Sequence, residues 1–239
     1  MPEEYPLVDR MHARIESWEQ AGDRRAVFLS CYQMMTRNVL AAITDGDFED
    51  GSWVSILLHH FAEYYFEALQ AYERHEGGAP AVWEFVFEAA RQPNMHVLQD
   101  LVLGVNAHIN YDLVFALADL LGPEWAALSP EQRQARYRDH CHVNDIINRT
   151  IDSVQDQVIE RQRASMDLVD KMLGPLDEWL ISRLVVRWRD EVWEDATHFV
   201  ETSAETDREI LRRQVEQRSL DRARFVAGEQ GLAGLLDLF

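Results

Sequence analysis

Residues that break helices are scarce in this sequence, which contains only 11 Gly and 7 Pro among its 239 residues. So few breakers leave little room for the many turns of a β-sandwich or a β-barrel. Collagen and low-complexity disorder are excluded on the same ground, and two cysteines are too few for a disulfide scaffold. Because 47 % of the residues are hydrophobic, long helices around a sizeable core are the predicted architecture.

Positive charge is also scarce, since 23 Lys and Arg face 42 Asp and Glu and the formal net charge is −19. A chain with this charge repels phosphate backbones and anionic lipid headgroups, so we expect no nucleic acid and no membrane among its partners. The N-terminus, Met1-Pro2-Glu3-Glu4, lacks the basic start of a secretory signal. We therefore expect a cytoplasmic protein.

Apolar residues recur with helical spacing along most of the chain, and no convincing run alternates with the period of a β-strand. The spacing and the Gly-Pro clusters predict helices near 3–21, 24–44, 52–75, 80–91, 96–121, 130–162, 165–173, 175–200 and 204–227, with a weaker apolar segment at 229–238. We predict an all-α fold in which residues 1–239 form a single domain, a helical bundle of about eight helices. Helix 96–121 is apolar nearly all round and is expected at the centre.

The central helix contains an ionisable pair, His108 and Asp112, on a face that is otherwise apolar. The two residues are four positions apart, so their side chains can meet. Burying such a pair is costly unless the partners satisfy each other. Two interpretations remain open: a structural pair that joins helices, or an internal pocket in which His108 is a general acid or base oriented by Asp112. Polar residues inside this helix also favour a protein environment over a membrane span.

Other polar side chains are predicted to accompany this pair. Asn106 and Asn110 lie together on the neighbouring face of the central helix, and Asp139 and Asn144 lie on or beside the apolar stripe of a later helix. We predict Asp139 to be catalytic along with the His-Asp pair. The residues predicted to bind substrate are Asn106, Asn110, Asn144 and Arg189. For Arg189 the sequence leaves two roles open, neutralising nearby acids or binding an anionic substrate.

Metal ligation is an alternative interpretation of the acidic residues. Carboxylate-x-x-His pairs can hold a di-iron site between helices. The pairs are Asp9/His12, Asp139/His142 and Asp195/His198, and Glu63 and Asp112 are candidate bridging carboxylates. Such pairs also arise by chance in so acidic a chain, and we assign no metal ligand.

The segment from Asn144 to Asp152 reads N-D-I-I-N-R-T-I-D and resembles the Mg²⁺-binding helix of class I terpene cyclases. That resemblance implies that Asn144, Asn148 and Asp152 hold a metal for a diphosphate. It covers nine residues, and the chain departs from the family pattern. Asn148 and Asp152 replace the usual Ser/Thr and Glu, and no D-D-x-x-D motif precedes them.

A broader resemblance rests on four segments, at 22–28, 48–50, 61–66 and 103–113. In this order they resemble an uncharacterised bacterial family that is catalogued as a domain of unknown function, and N-A-H-I-N-x-D-L is the most specific element. Asp139, Asn144 and the stretch 189–193 look similar as well, so the resemblance spans most of the chain. It implies a compact helical domain without an established activity. It favours the residues of that element, Asn106, His108, Asn110 and Asp112, over the scattered histidines.

The common hydrolase, nucleotide-binding and zinc motifs are absent from the sequence. Our leading hypothesis is an enzyme whose helix-enclosed pocket uses His108 and Asp112 for acid-base chemistry on a small, partly apolar metabolite. Cyclase, isomerase, lyase and hydrolase reactions in bacterial specialised metabolism all fit. The alternatives are a metal-dependent, di-iron-like oxygenase or hydrolase, and a non-catalytic ligand-binding or protein-interaction module. The sequence identifies no cofactor, and its aromatic content leaves residues for a homo-oligomer interface.

Overall fold

The computed structural model describes residues 5–75, 77–93, 95–154 and 176–228, and it describes their side chains except those of 151–154 and 176–182. Within these ranges the chain forms eight helices and no strand, which confirms the predicted all-α fold. The helices are α1 (Pro6–Ala21), α2 (Ala26–Asp45), α3 (Gly51–Arg74), α4 (Ala81–Ala89), α5 (Val97–Leu121), α6 (Pro130–Val154), α7 (Leu176–Glu201) and α8 (Glu205–Ala227). The predicted helix 165–173, the segment 229–238 and the end of helix 130–162 lie outside the described residues.

The helix boundaries follow from local chemistry. α1 and α2 end at Gly22 and Gly46, whose φ angles of 67° and 80° are left-handed and therefore favour glycine. Ser129, which precedes Pro130 at the start of α6, accepts a hydrogen bond from the Gln132 N–H at 3.3 Å. The turns at Gly22 and Gly46 reverse the chain, so that α1 packs against α2 and α2 packs against α3.

The long apolar helix α5 packs against α2, α3, α4, α7 and α8, which places it at the centre of the bundle as predicted. By length and composition α5 could cross a bilayer, but 89 % of its most apolar window is buried inside the protein. The prediction of a helix surrounded by protein is therefore confirmed. Polar side chains on α5 consequently face other helices, and each of them needs a partner there.

The middle of α5 departs from regular α-helical geometry. Residues His108–Asp112 form one π-helical turn, in which the Leu113 N–H donates to the carbonyl of His108 five residues earlier. The uniform 100° rotation per residue assumed from the sequence does not hold here. Such turns are rare, occur mostly as single turns inside α-helices and are frequent at functional sites. The predicted His-Asp pair lies at the two ends of this turn.

Gly104 allows α2 to approach α5 closely. A Cβ atom at this position would lie 2.4 Å from Cγ of Phe28, so only glycine permits the observed contact. Phe28 in turn lies against His108, with ring centroids 5.7 Å apart. The glycine therefore helps to place an aromatic ring beside the predicted site.

Candidate active site

His108 and Asp112 meet across the π-turn, as their spacing predicts. Nδ1 of the imidazole lies 2.9 Å from Oδ2 of Asp112. Both side chains are deeply buried, with exposed fractions of 3 % for His108 and 0 % for Asp112. The contact is therefore a hydrogen bond inside the protein core, where solvent screens it little.

Trp83 holds the Asp112 carboxyl group from α4. The indole Nε1–H lies 3.0 Å from both carboxyl oxygens, and Trp83 is fully buried. Asp112 is thus held between the indole of Trp83 and the imidazole of His108. This arrangement fixes the carboxyl group and, through it, the orientation of the imidazole ring.

Five aromatic rings surround the imidazole, and we call them the aromatic cage. Phe61 stacks on the ring with centroids 3.6 Å apart and an interplanar angle of 9°, while Tyr32 meets it edge-on at 4.2 Å. The other three rings, with centroids 5.7 to 6.3 Å away, are Phe28, Tyr65 and Trp83. Of the five rings only Phe61 is partly exposed. Phe61 is therefore the ring of the cage that solvent contacts.

The second imidazole nitrogen, Nε2 of His108, is buried and has no hydrogen-bond partner among the described residues. Burial lowers the pKa of His108 well below its ordinary value and raises the pKa of Asp112 well above its own, because desolvation penalises each charged form. The uncharged pair is therefore favoured. In that form the Asp112 hydroxyl donates to Nδ1, and Nε2 carries the ring proton.

Trp83 also lines a small cavity. Its volume is about 10 Å³, enough for about one water molecule. Phe28 and Tyr65 contribute to its apolar wall, and Arg24 and Asp100 to its polar wall. Oδ2 of Asp100 accepts a hydrogen bond from Arg24 Nε at 2.7 Å, and Oδ1 has no partner within the described part of the chain. Burial raises the pKa of Asp100 to about 6.

Asn106 and Asn110 contact each other and α8, with no hydrogen bond to His108. Asn110 Nδ2 donates to Asn106 Oδ1 at 3.0 Å, and Asn106 Nδ2 donates to the Ser219 carbonyl at 2.8 Å. The Ser219 hydroxyl donates to the main-chain carbonyl of Asn110 at 2.8 Å. Arg222 Nη1 donates to the side-chain oxygen of Asn110, Oδ1, at 2.8 Å. Both ends of each amide are thus bonded within the protein, and these two predicted substrate-binding residues join the π-turn to α8.

Asp139, which we predicted to be catalytic, lies on α6 and caps the start of α3. Its Oδ1 and Oδ2 accept hydrogen bonds from the main-chain N–H groups of Glu49 and Asp50, at 2.8 Å and 2.9 Å. No hydrogen bond joins it to His108. The structure therefore gives this carboxylate a connecting position between α6 and α3.

Asn144 and Arg189 form a second polar cluster with the buried His140, a residue that the sequence pattern does not single out. Arg189 Nε donates to Asn144 Oδ1 at 2.7 Å, and Nη2 donates to the His140 carbonyl at 2.6 Å. The His140 Nε2–H donates to the Arg189 carbonyl at 3.0 Å. Burial lowers the pKa of His140 well below its ordinary value, so its imidazole is neutral. This cluster joins α6 to α7.

The candidate metal ligands are dispersed over the molecule. Glu63 and Asp195 form ion pairs with arginines of neighbouring helices, and both oxygens of Asp139 bind main-chain groups. Over the described ranges no three His, Cys, Asp or Glu side chains are grouped so that they could hold a metal ion. The side chain of Asp152, the third ligand implied by the terpene-cyclase resemblance, lies outside the described residues.

The groups that enclose His108 could not be predicted from the sequence. Trp83 is 29 residues away from Asp112, and Phe61 and Tyr32 belong to two other helices. Periodicity within one helix carries no information about such contacts. The available signal is compositional, because α3 and α4 are rich in aromatic residues.

The comparison with known families decides the classification. A family of unknown function, DUF5995, matches residues 6–228. The chain belongs to this family. The match spans all eight helices, so the π-turn and its His-Asp pair lie inside the DUF5995 domain. No curated protein and no solved structure matches the chain.

Proposed function

We propose that this DUF5995 protein is an enzyme in which the His108–Asp112 pair exchanges a proton with a small, partly apolar substrate. The observation that carries the proposal is the buried Nε2 of His108, which has no partner among the described residues. His140, by comparison, has polar groups at both ring nitrogens, at 3.0 Å and 3.4 Å. A purely structural histidine is expected to resemble His140, because a buried unsatisfied nitrogen costs free energy.

The pair can transfer a proton without charging the imidazole. In the uncharged form Nε2 passes its proton to the substrate, and Nδ1 takes up the proton of the Asp112 hydroxyl. A neutral ring and a carboxylate remain, and the indole N–H of Trp83 stabilises that carboxylate. Run in reverse, the same steps accept a proton. The two residues therefore act as one acid-base unit whose states differ by a single proton.

The aromatic cage favours an apolar or planar substrate. Such a molecule takes the place of Phe61 over the imidazole and contacts the edge of Tyr32. Proton transfer to or from a substrate of this kind is a step in cyclase, isomerase, lyase and hydrolase reactions. We propose that the reaction belongs to one of these classes and serves bacterial specialised metabolism in the cytoplasm.

The proposal is tested by conversion of metabolites in an extract of the cells that make the protein. Wild type, His108→Gln and His140→Gln are each incubated with the extract, and mass spectrometry follows all metabolites over time. Wild type should deplete one metabolite and accumulate its product. His108→Gln should slow this conversion by about 100-fold or more, the usual contribution of general acid-base catalysis.

His140→Gln is the matched control, because it changes a second buried, neutral imidazole. We expect it to lower stability while it keeps the conversion, once the rate is corrected for the folded fraction. Equal conversion by His108→Gln and wild type would contradict the proposal. A wild-type protein that converts no metabolite in the extract would also contradict the proposal. Binding of a metabolite without its conversion would then indicate a ligand-binding module.

A further inference from the structure

Arg189 on α7 is deeply buried, with an exposed fraction of 4 %. Nε and Nη2 both point at one turn of α6, where they contact the Asn144 side chain and the main-chain carbonyl of His140. Nη2 also lies 3.4 Å from Nδ1 of His140. All three acceptors are uncharged.

No carboxylate among the side chains that the structure describes lies within ion-pair distance of Arg189. Four other arginines are less deeply buried, with side-chain exposures of 15 to 19 %, and each of them contacts at least one carboxylate. They are Arg24, Arg25, Arg136 and Arg222. Buried charges are normally paired, because the lost hydration of an isolated ion is not repaid by neutral hydrogen bonds. Arg189 departs from this rule.

The acids closest to Arg189 do not compensate for its burial. Asp190, the next residue, is exposed, and its attraction for the guanidinium does not offset the lost hydration. Burial therefore lowers the pKa of Arg189 to about 10. At neutral pH the group still carries its charge, so a buried positive charge lies between α6 and α7.

The guanidinium also has unused donors. Of its five N–H groups, the one on Nε and the two on Nη2 face the acceptors on α6. The two on Nη1 take part in none of these hydrogen bonds. A negatively charged oxygen at Nη1 would bind these donors and provide the missing counter-charge.

We propose that Arg189 Nη1 binds an anionic oxygen of a small ligand, a carboxylate or a phosphate, at the α6–α7 contact. This site is a different one from the cage around His108, and the proposal does not depend on acid-base catalysis there. It assigns the anion-binding role to the residue for which the sequence left two roles open.

The experiment measures thermal unfolding of the full chain in inorganic phosphate, in acetate and in chloride at matched ionic strength. A site-bound anion raises the melting temperature in a saturable way, by about 5 to 10 °C at a concentration near one hundred times Kd. We expect this rise with phosphate or with acetate, and the difference between them identifies the preferred oxyanion. Chloride at the same ionic strength should give no saturable rise.

Arg189→Lys is the test variant, because it keeps the charge and the stem but loses the contacts along α6 and the Nη1 donors. It should lose at least three quarters of the anion-dependent rise. Arg136→Lys is the control, since Arg136 is already paired with Asp50 and Glu124, and it should keep the rise. No saturable rise in wild type, or an undiminished rise in Arg189→Lys, would overturn the proposal. Isothermal titration of wild type with the same two anions gives an independent measure, in which no detectable heat of binding would also overturn it.

Discussion

Replacing Asp112 by Asn tests whether the buried pair is uncharged. The Asn oxygen can accept from Trp83, and its N–H can donate to Nδ1 of His108, so both hydrogen bonds of a protonated carboxyl group are reproduced. The volume of the side chain is also nearly unchanged. We therefore expect Asp112→Asn to lower the free energy of unfolding by less than about 1 kcal/mol.

Replacing Asp112 by Ala removes both hydrogen bonds that the Asn side chain preserves. The indole N–H of Trp83 and Nδ1 of His108 are then left without a partner at a site where Asp112 is 0 % exposed. Each unsatisfied group costs about 1 to 3 kcal/mol, and the vacated space adds to this. We expect a total loss of about 3 to 5 kcal/mol for Asp112→Ala.

Urea unfolding at neutral pH, followed by far-UV circular dichroism, measures both losses, with a shared m-value as the check that unfolding stays two-state. A loss for Asp112→Asn as large as that for Asp112→Ala would show that Asp112 is ionised in the native protein. That result would refute the uncharged pair, since an amide cannot replace a carboxylate facing an imidazolium.

Three further predictions concern packing, protonation and thiol reactivity. Gly104→Ala places a Cβ atom 2.4 Å from Phe28 Cγ, and urea unfolding should show a loss of about 1 to 3 kcal/mol as the ring is displaced. The imidazoles of His108 and His140 should keep neutral NMR shifts from about pH 7.5 to about 5.5, because burial lowers both pKa values. The Cys31 thiol, whose pKa burial raises to about 12, should react with iodoacetamide at pH 8 only after unfolding.

A control variant or a contradicting result can be named for each of the three predictions. Gly51→Ala is the control for packing, because its Cβ would lie 3.5 Å from Ile43 in ordinary contact and should cost little. An equal loss in both glycine variants would contradict the clash. The unfolded chain protonates both imidazoles near pH 6.5 and the native protein does not. At His108 the proton that Asp112 keeps in the native protein offsets this difference. The contribution of His140 to stability should therefore fall, by up to about 1.4 kcal/mol per pH unit, as the pH drops below 6.5. Titration midpoints near 6.5 in the native protein would contradict their burial, and rapid alkylation of native Cys31 would contradict its raised pKa.

The helices and the local pair geometry could be predicted because both depend on residues close in sequence. Helical spacing and caps such as Ser129 determine where helices begin, and the spacing of four brings His108 to Asp112 and Asn106 to Asn110. The apolar arc of α5 likewise predicts its central position. In each case a single helix, considered alone, contains the information.

The environment of the pair could not be predicted because it depends on packing between helices. Trp83 is 29 residues from Asp112, and Arg222 is 112 residues from Asn110. A helical wheel shows that a polar group is buried, but not whether another helix satisfies it. Asn110 is satisfied by α8, whereas Nε2 of His108 has no partner in the part of the molecule that is described. That difference separates the structural residues from the proposed acid-base unit.

The rate at which Asp112→Asn converts the metabolite consumed by wild type tests the central claim most directly. The variant keeps the hydrogen bonds of the protonated pair, but its amide cannot release a proton to Nδ1. We predict a folded protein, within about 1 kcal/mol of wild-type stability, whose conversion is slower by about 100-fold or more. Conversion at the wild-type rate by the folded variant would contradict proton transfer through His108 and Asp112.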